Sequence, residues 1–485
     1  MKLKKILTGL MVMAVALSLT LYGTAPVEGA AGNSIQRSVT AEKAIKGTEL
    51  KNIRVGGDAK HTRIVMDLSS AKKFNYAFEN NNTRLVINID GVYTAMKAAP
   101  DTKRGVVKDL ILATYGDTVQ LIVDMKVPVP VKVYPLKNPD RVVIDLINEY
   151  EEETSNQVEA GLLYGKYVRF DSRGMLTAYT LEVDPQKFDI RMVLPGGEVT
   201  QGLGKLSTIA QKYRAVAAVN GGYFDWSGTF LIGDIRINGT TVGMVPEERS
   251  GLINKKDGRY DVGQASYSGT VSINGQGISF WGVNSPRGKD AVILYNRLYG
   301  THTGTNEFGK EFVIRHNSVA AINNGNSEIP PDGAVVSVHG QSLEYFKNVR
   351  VGDRAEIIES FGEAIPDNVD FYGAGPQLVK NGRVDVTSYN EGIANDIANG
   401  RAPRTAVGIK PNGHVILMVV DGRQSHSIGA TLPEMGQLLI KYGADRGVNF
   451  DGGGSSEMVI NNQIVTSPSG GTERKIGNAL VVVRK

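Results

Sequence analysis

The sequence predicts an α+β chain, rich in β-strands, in more than one globular unit. Three observations carry that expectation. The chain has 485 residues of which 41% are hydrophobic, too long for one ordinary domain and apolar enough for large cores. Many segments alternate apolar and polar residues, and 57 glycines punctuate them. An acidic, aperiodic stretch separates two strand-rich regions.

The first residues have the layout of a secretory signal. Lys2, Lys4 and Lys5 precede an apolar run from Ile6 to Leu21, and the small residues Gly29-Ala30-Ala31 follow. Residues 1–31 are therefore expected to be a signal peptide, and the remainder to be secreted and to keep no membrane span after cleavage. The alternative is an uncleaved anchor, for which a run of about 16 residues is short against the roughly 20 that cross a bilayer. The chain has no cysteine, which excludes a lipid-modified cysteine and disulfides. Stability must then come from the cores. A net charge of +4 with scattered basic residues gives no nucleic-acid surface.

The first unit spans residues 50–147. Thr62-Arg63-Ile64-Val65-Met66-Asp67-Leu68, Arg84-Leu85-Val86-Ile87-Asn88-Ile89 and Thr118-Val119-Gln120-Leu121-Ile122-Val123-Asp124 read as half-buried strands. Arg141-Val142-Val143-Ile144-Asp145-Leu146 follows the turn residues Asn138-Pro139-Asp140 and closes the unit. No catalytic cluster is visible there, and His61 stands alone. Residues 148–159, including Glu149 and Glu151-Glu152-Glu153, read as a polar linker.

The Thr62–Leu68 and Asn138–Leu146 motifs resemble the amidase N-terminal (AMIN) domain of exported cell-wall enzymes. The resemblance implies a small N-terminal β-sandwich that holds its partner domain at the cell envelope by binding peptidoglycan or an associated polymer. The alternative is a spacer without a ligand.

The second unit spans residues 160–485. Leu176-Thr177-Ala178-Tyr179-Thr180-Leu181-Glu182-Val183 reads as a strand, and Leu206-Ser207-Thr208-Ile209-Ala210-Gln211-Lys212-Tyr213 as a short helix. Four apolar strands then run into glycine with polar or charged company. They end at Asn220-Gly221-Gly222-Tyr223, Gly373-Ala374-Gly375, Asp421-Gly422-Arg423 and Asp451-Gly452-Gly453-Gly454-Ser455-Ser456. Such ends can line one rim of a sheet and build a shared cleft.

The last of these is the richest. Glycines let the backbone approach a ligand and turn successive N–H groups toward an anion, while Ser455 and Ser456 add hydroxyls. The lysine and spacing of a P-loop are missing, and GxSxG is absent. Arginines suit the same anion through bidentate contacts. Arg404 and Arg423 flank strand ends and rank above Arg401 and Arg474, which lie in open loops. Thr431-Leu432-Pro433-Glu434 fits a capping box, with Met435, Leu438, Leu439 and Tyr442 at helical spacing before Gly443. His426 has no second histidine or cysteine at a zinc-ligand spacing, so no metal is assigned. Calcium stays open, with plentiful carboxylates but no EF-hand loop.

Asn220-Gly221-Gly222-Tyr223-Phe224-Asp225, Gly375-Pro376-Gln377-Leu378-Val379, Arg401-Ala402-Pro403-Arg404-Thr405-Ala406-Val407-Gly408, Asp421-Gly422-Arg423 and the Asp451–Ser456 stretch together resemble the phosphodiester glycosidase family. The segment from Pro468 to Asn478 fits it also, and Phe450 departs from it, standing where an aliphatic residue is expected. The resemblance implies a larger mixed α/β catalytic domain that hydrolyses a sugar 1-phosphodiester between the anomeric carbon and the phosphate oxygen, without a cofactor. The expected roles are Asp451 and Asp421 as catalytic carboxylates, with Asn220, Gly222, Tyr223, Arg404, Thr405, Arg423, Gly452, Gly453, Gly454, Ser455 and Ser456 binding substrate. The expected partner is a phosphorylated glycan or cell-wall polymer. The other reading is an envelope protein that grips phosphoglycan in surface assembly without cleaving it.

Overall fold

The computed structural model describes residues 47–171, 173–366 and 369–485. The signal peptide expected over residues 1–31 lies outside the described residues.

Within the compact unit Thr48–Lys485, residues 48–147 form a sandwich of two antiparallel sheets. One sheet has five strands, in the order Val92–Tyr93, Thr48–Gly57, His61–Leu68, Arg141–Ile147, Val131–Leu136, with only the short first pairing parallel. The other has four, in the order Asn75–Glu79, Arg84–Asp90, Thr118–Met125, Val107–Tyr115. The alternation read in the sequence decides which side chains meet. Ile64 and Met66 of one sheet and Leu85, Ile87, Leu121 and Val123 of the other bury their side chains in one core.

Residues 148–159 depart from the linker expectation. Tyr150–Glu159 is a strand, paired antiparallel with Leu162–Asp171 at the edge of the next sheet. Its residues from Glu151 to Gln157 are exposed, so no apolar face had to be encoded and no alternation marks it. Three glutamates on an open edge also discourage pairing with another chain.

Residues 150–485 stack four layers. An eight-stranded antiparallel sheet runs Tyr150–Glu159, Leu162–Asp171, Gly174–Val183, Val415–Val420, Arg404–Ile409, Arg446–Asn449, Gln377–Lys380, Arg383–Val384. A five-stranded sheet, Phe188–Val193, Ala479–Arg484, Ala217–Asn220, Met458–Ile460, Gln463–Ile464, packs on one of its faces. The strand Val415–Val420 explains the layering: Val415, Leu417 and Val419 enter the core between the sheets, and Ile416, Met418 and Val420 face the helix Leu432–Lys441. A strand covered on both faces is a continuous apolar run, as written here. On the far side the helix Leu206–Lys212 packs Leu206, Ile209 and Ala210 against Ala218 and Val481.

The helix Leu432–Lys441 starts where the capping box predicts. Thr431 Oγ1 accepts the Glu434 amide at 3.4 Å, and Glu434 Oε2 accepts the Thr431 amide at 3.0 Å. Loss of such a cap costs about 1 kcal/mol. Glu434 also pairs with Arg401 at 2.7 Å, which ties that arginine into the fold. Further small sheets are built from the strands between Leu231 and Gly373. Among the described residues no helix is long and apolar enough to cross a membrane.

Candidate functional site

Sheet register brings two of the glycine-ended strands and the start of Arg404–Ile409 to one rim. Arg404 stands opposite Val420, and Asn449 opposite Ala406, so the end of Val415–Val420, the start of Arg404–Ile409 and the end of Arg446–Asn449 are neighbours. The loop after Asn220 joins from the second sheet. The Asp451 amide donates to Gly221 O at 3.1 Å, and Asn220 Nδ2 donates to Asp451 O at 2.7 Å. Asn220 Oδ1 accepts the Thr405 hydroxyl at 2.6 Å and the Glu457 amide at 3.2 Å. Asn220 and Thr405 thus brace the Asp451 loop from behind.

Gly222 and Tyr223 are part of the same brace. The Gly222 amide donates to Asn478 Oδ1 at 2.7 Å, and a Cβ at Gly222 would lie 2.8 Å from Gly373 O. The buried Tyr223 hydroxyl donates to Gly375 O at 3.0 Å and accepts from Asn449 Nδ2 at 3.1 Å. Burial holds that phenol well above its ordinary range.

The glycine loop folds on itself. Gly452 N–H donates to Asp451 Oδ1 at 2.8 Å, Gly453 N–H to Pro403 O at 2.9 Å, Ser455 N–H to Gly452 O at 3.2 Å and Ser456 N–H to Gly453 O at 3.3 Å. Of these four donors, which the sequence reading aims at a phosphate, three are spent inside the loop, where Gly453–Ser455 forms a 3-10 turn, and the Gly453 N–H is spent on Pro403 O outside it. Gly453 has φ 62°, a left-handed conformation that glycine adopts without strain. What the loop offers instead are hydroxyls. Ser456 Oγ is buried and without a hydrogen-bond partner, and the buried Ser455 hydroxyl lies beside the Asp451 carboxyl.

Asp451 and Ser455 line a cavity of about 370 Å³ with Tyr223, Phe224, Trp226, Ile232, Arg249, Ile393, Asp396, Ile397 and Arg474. Burial raises the Asp451 carboxyl to about 6, against the opposing pull of the nearby Ser455 hydroxyl, the Gly452 amide and the Arg474 charge. The Arg474 guanidinium packs where a Cβ on Gly454 would be and lies over the Trp226 ring, 5.0 Å from its centroid. Trp226 is 83% exposed, in a loop knotted by Asp225, whose carboxylate accepts the amides of Ser227, Thr229 and Phe230 at 2.9, 2.7 and 3.0 Å.

Arg249 reaches the cavity from the start of the strand Arg249–Asn254. Neither Arg249 nor Arg474 makes a hydrogen bond or ion pair among the described residues, and Arg249 Nε is buried without a partner. Two guanidinium groups free of ion pairs beside a half-buried acid are an arrangement that can hold an anion and give it a proton.

The other sequence-expected residues lie around this cavity rather than in its lining. Arg404 is buried and donates to backbone carbonyls, Nε to Ala430 O at 3.1 Å and Nη2 to Ile397 O at 2.8 Å and Gly400 O at 2.5 Å. Burial lowers its pKa from the ordinary value. Arg423 is exposed, with its guanidinium near Gly453. Asp421 is buried, and its carboxylate accepts the Tyr179 hydroxyl at 3.1 Å and the Ser467 amide at 3.0 Å, with His426 Nε2 at 3.0 Å. Burial raises the Asp421 pKa, and these partners oppose the rise. Among the described residues no group of three or more His, Asp or Glu side chains is placed to hold a metal ion.

Sequence pattern does not single out Arg249, Trp226 or Asp396. Arg249 and Asp396 lie far from any glycine-ended strand. Trp226 follows Asn220-Gly221-Gly222-Tyr223-Phe224-Asp225 directly, and an aromatic residue that close to a site loop is a readable signal.

Two segments of the chain match known families. Residues 308–483 match the phosphodiester glycosidase family and residues 52–146 match the AMIN domain. The N-acetylglucosamine-1-phosphodiester alpha-N-acetylglucosaminidase of Bos taurus is 33% identical over 101 residues, 19% of this chain and 19% of that protein. The SPbeta prophage-derived uncharacterized protein YomE of Bacillus subtilis (strain 168) is 32% identical over 84 residues, 17% of this chain and 13% of that protein. The chain thus spans less than a fifth of the length of these curated relatives. A hypothetical protein from Synechocystis shares the fold, with a TM-score of 0.62 and 21% identity over 90% of this chain and 81% of that one.

Proposed function

A phosphodiester glycosidase domain behind an AMIN domain is what this chain carries, and from that premise we propose that it hydrolyses a sugar 1-phosphodiester outside the cytoplasm. The bond cut is the one between the anomeric carbon and the phosphate oxygen. One observation carries the reading: the guanidinium groups of Arg249 and Arg474, free of ion pairs, share a cavity with the half-buried carboxyl of Asp451.

Each part of that cavity has work in the reaction. The two arginines hold the non-bridging phosphate oxygens by charge-assisted hydrogen bonds. Asp451, with a pKa raised to about 6, is a proton donor near neutral pH and delivers its proton to the departing phosphate oxygen. The demand on that acid is modest, because a phosphomonoester has a second pKa of about 6 and leaves readily as an anion. Trp226, Phe224 and the isoleucines 232, 393 and 397 supply the apolar wall that a sugar ring packs against. Arg404, Asn220 and Thr405 position the loop, and Arg423 stands outside the lining.

The sugar we favour is α-linked N-acetylglucosamine on a glycan or cell-wall polymer, in line with the name of the curated relative. The AMIN domain would keep the enzyme at such a polymer, through peptidoglycan or a bound chain. The deciding experiment follows free N-acetylglucosamine released from UDP-N-acetylglucosamine by the purified chain and by Asp451→Asn. Release by the parent alone supports the reading. Binding of phosphoglycan without release from any sugar 1-phosphodiester would leave the assembly role instead.

A further inference from the structure

We infer that Asp396 is the second carboxylate of the reaction, the base that activates the attacking water opposite Asp451. This rests on the hydrolytic reading above. Displacement at an anomeric carbon by water needs one group that gives a proton to the leaving oxygen and another that takes a proton from the water. Two carboxylates line the cavity, Asp451 and Asp396. Asp421, the partner suggested by the sequence, is not in that lining. Its side chain is 1% exposed and is engaged by Tyr179, His426 and Ser467.

Asp396 has the opposite surroundings. It is exposed, in the first turn of the short helix Asn395–Asn399, and its carboxylate makes no hydrogen bond or ion pair among the described residues. The segment bearing it is nevertheless fixed. Ile393 and Ile397 on either side of Asp396 face the same cavity, and Arg404 Nη2 holds the carbonyls of Ile397 and Gly400. The charged groups around it are Asp451, Arg249 and Arg474 in the cavity and Arg404 behind the helix. A half-buried carboxyl enclosed by the glycine loop, the Ser455 hydroxyl and Arg474, and a carboxyl exposed at the wet mouth, are the contrasting environments that divide acid from base.

The step balances. The water oxygen forms a bond to the anomeric carbon while its proton passes to Asp396. The anomeric carbon–oxygen bond breaks, its electron pair goes to the phosphate oxygen, and that oxygen takes the proton of Asp451. The products are the free sugar with inverted configuration and a phosphomonoester. Solvent then removes the proton from Asp396 and returns one to Asp451.

The test uses the full chain and UDP-N-acetylglucosamine, whose sugar is α-linked, or another α-linked sugar 1-phosphodiester that the parent cleaves. Asp396→Asn should lower kcat by about a hundredfold or more, with KM and Tm close to the parent's. Sodium azide should restore turnover of that variant and yield the β-glycosyl azide, which a purely structural role would not produce. Proton NMR of the parent reaction should show the β-anomer first. A parent that cleaves beside an equally active Asp396→Asn, or that releases the α-anomer first, overturns the role of Asp396 and leaves the hydrolytic reading standing. A parent that cleaves no sugar 1-phosphodiester removes that reading, and this inference with it.

Discussion

Asn220 holds the backbone of Asp451 from behind: its side-chain amide donates to the Asp451 carbonyl at 2.7 Å, and its oxygen accepts the Thr405 hydroxyl at 2.6 Å. The acid of the cavity is therefore placed by an amide on the other sheet. Asn220→Ala would leave that carbonyl, the Thr405 hydroxyl and the Glu457 amide without a partner in the interior. The expected outcome is a loss of about 1–3 kcal/mol of stability, measured by urea unfolding, with a fall in kcat that exceeds any change in KM.

The acidity of Asp451 gives two pH dependences. As the proton donor it must be protonated, so kcat should fall as pH rises through about 6, and Asp451→Asn should lower kcat by about a hundredfold and remove that pH dependence. Stability moves with the same sign. A carboxyl whose folded pKa is raised favours the folded state below its unfolded value, about 4, and that contribution is lost as pH rises through about 6. Tm of the parent minus Tm of Asp451→Asn should therefore be larger at pH 4 than at pH 8.

The arginines separate into two kinds. Arg249→Ala and Arg474→Ala should each lower kcat/KM by about tenfold to a hundredfold, since a charge-assisted hydrogen bond contributes about 1.5–3 kcal/mol and 1.4 kcal/mol is tenfold. Arg404→Ala should act on the fold, because three backbone carbonyls lose the guanidinium that ties them together. Its signature is a drop of several degrees in Tm. Thermal unfolding and steady-state kinetics on the three variants would expose any mixing of the two groups.

The exposed edge strand Tyr150–Glu159 makes a further prediction. Replacing Glu152 and Ser155 by valine would remove charge and add β-propensity on an open edge. The doubly substituted chain should self-associate at concentrations where the parent is monodisperse, as light scattering would detect.

What was legible in the sequence follows from what each element must bury. Val415–Val420 is apolar at every position because both its faces are covered, and the capping box at Thr431 marks a helix start with local chemistry alone. Tyr150–Glu159 buries almost nothing and so carries no periodic signal. At the site, Asp451 and its glycines were visible as a motif. Arg249 and Asp396 were not, because residues more than a hundred positions apart converge there only through sheet register and loop packing. Arg404 was ranked high for standing at a strand end, yet the same position turns its guanidinium onto the carbonyls of the loop before it. Arg474 was ranked low for lying in a loop, and it is the loop that carries it over Trp226.

The chain contains two tryptophans, and one of them stands at the mouth of the cavity with a guanidinium across its face. Any phosphate that draws Arg474 toward itself must change the electrostatic environment of that indole. The protein thus carries an intrinsic fluorophore beside the proposed anion site, and with Trp281 replaced by phenylalanine its emission would report occupancy in real time without a label.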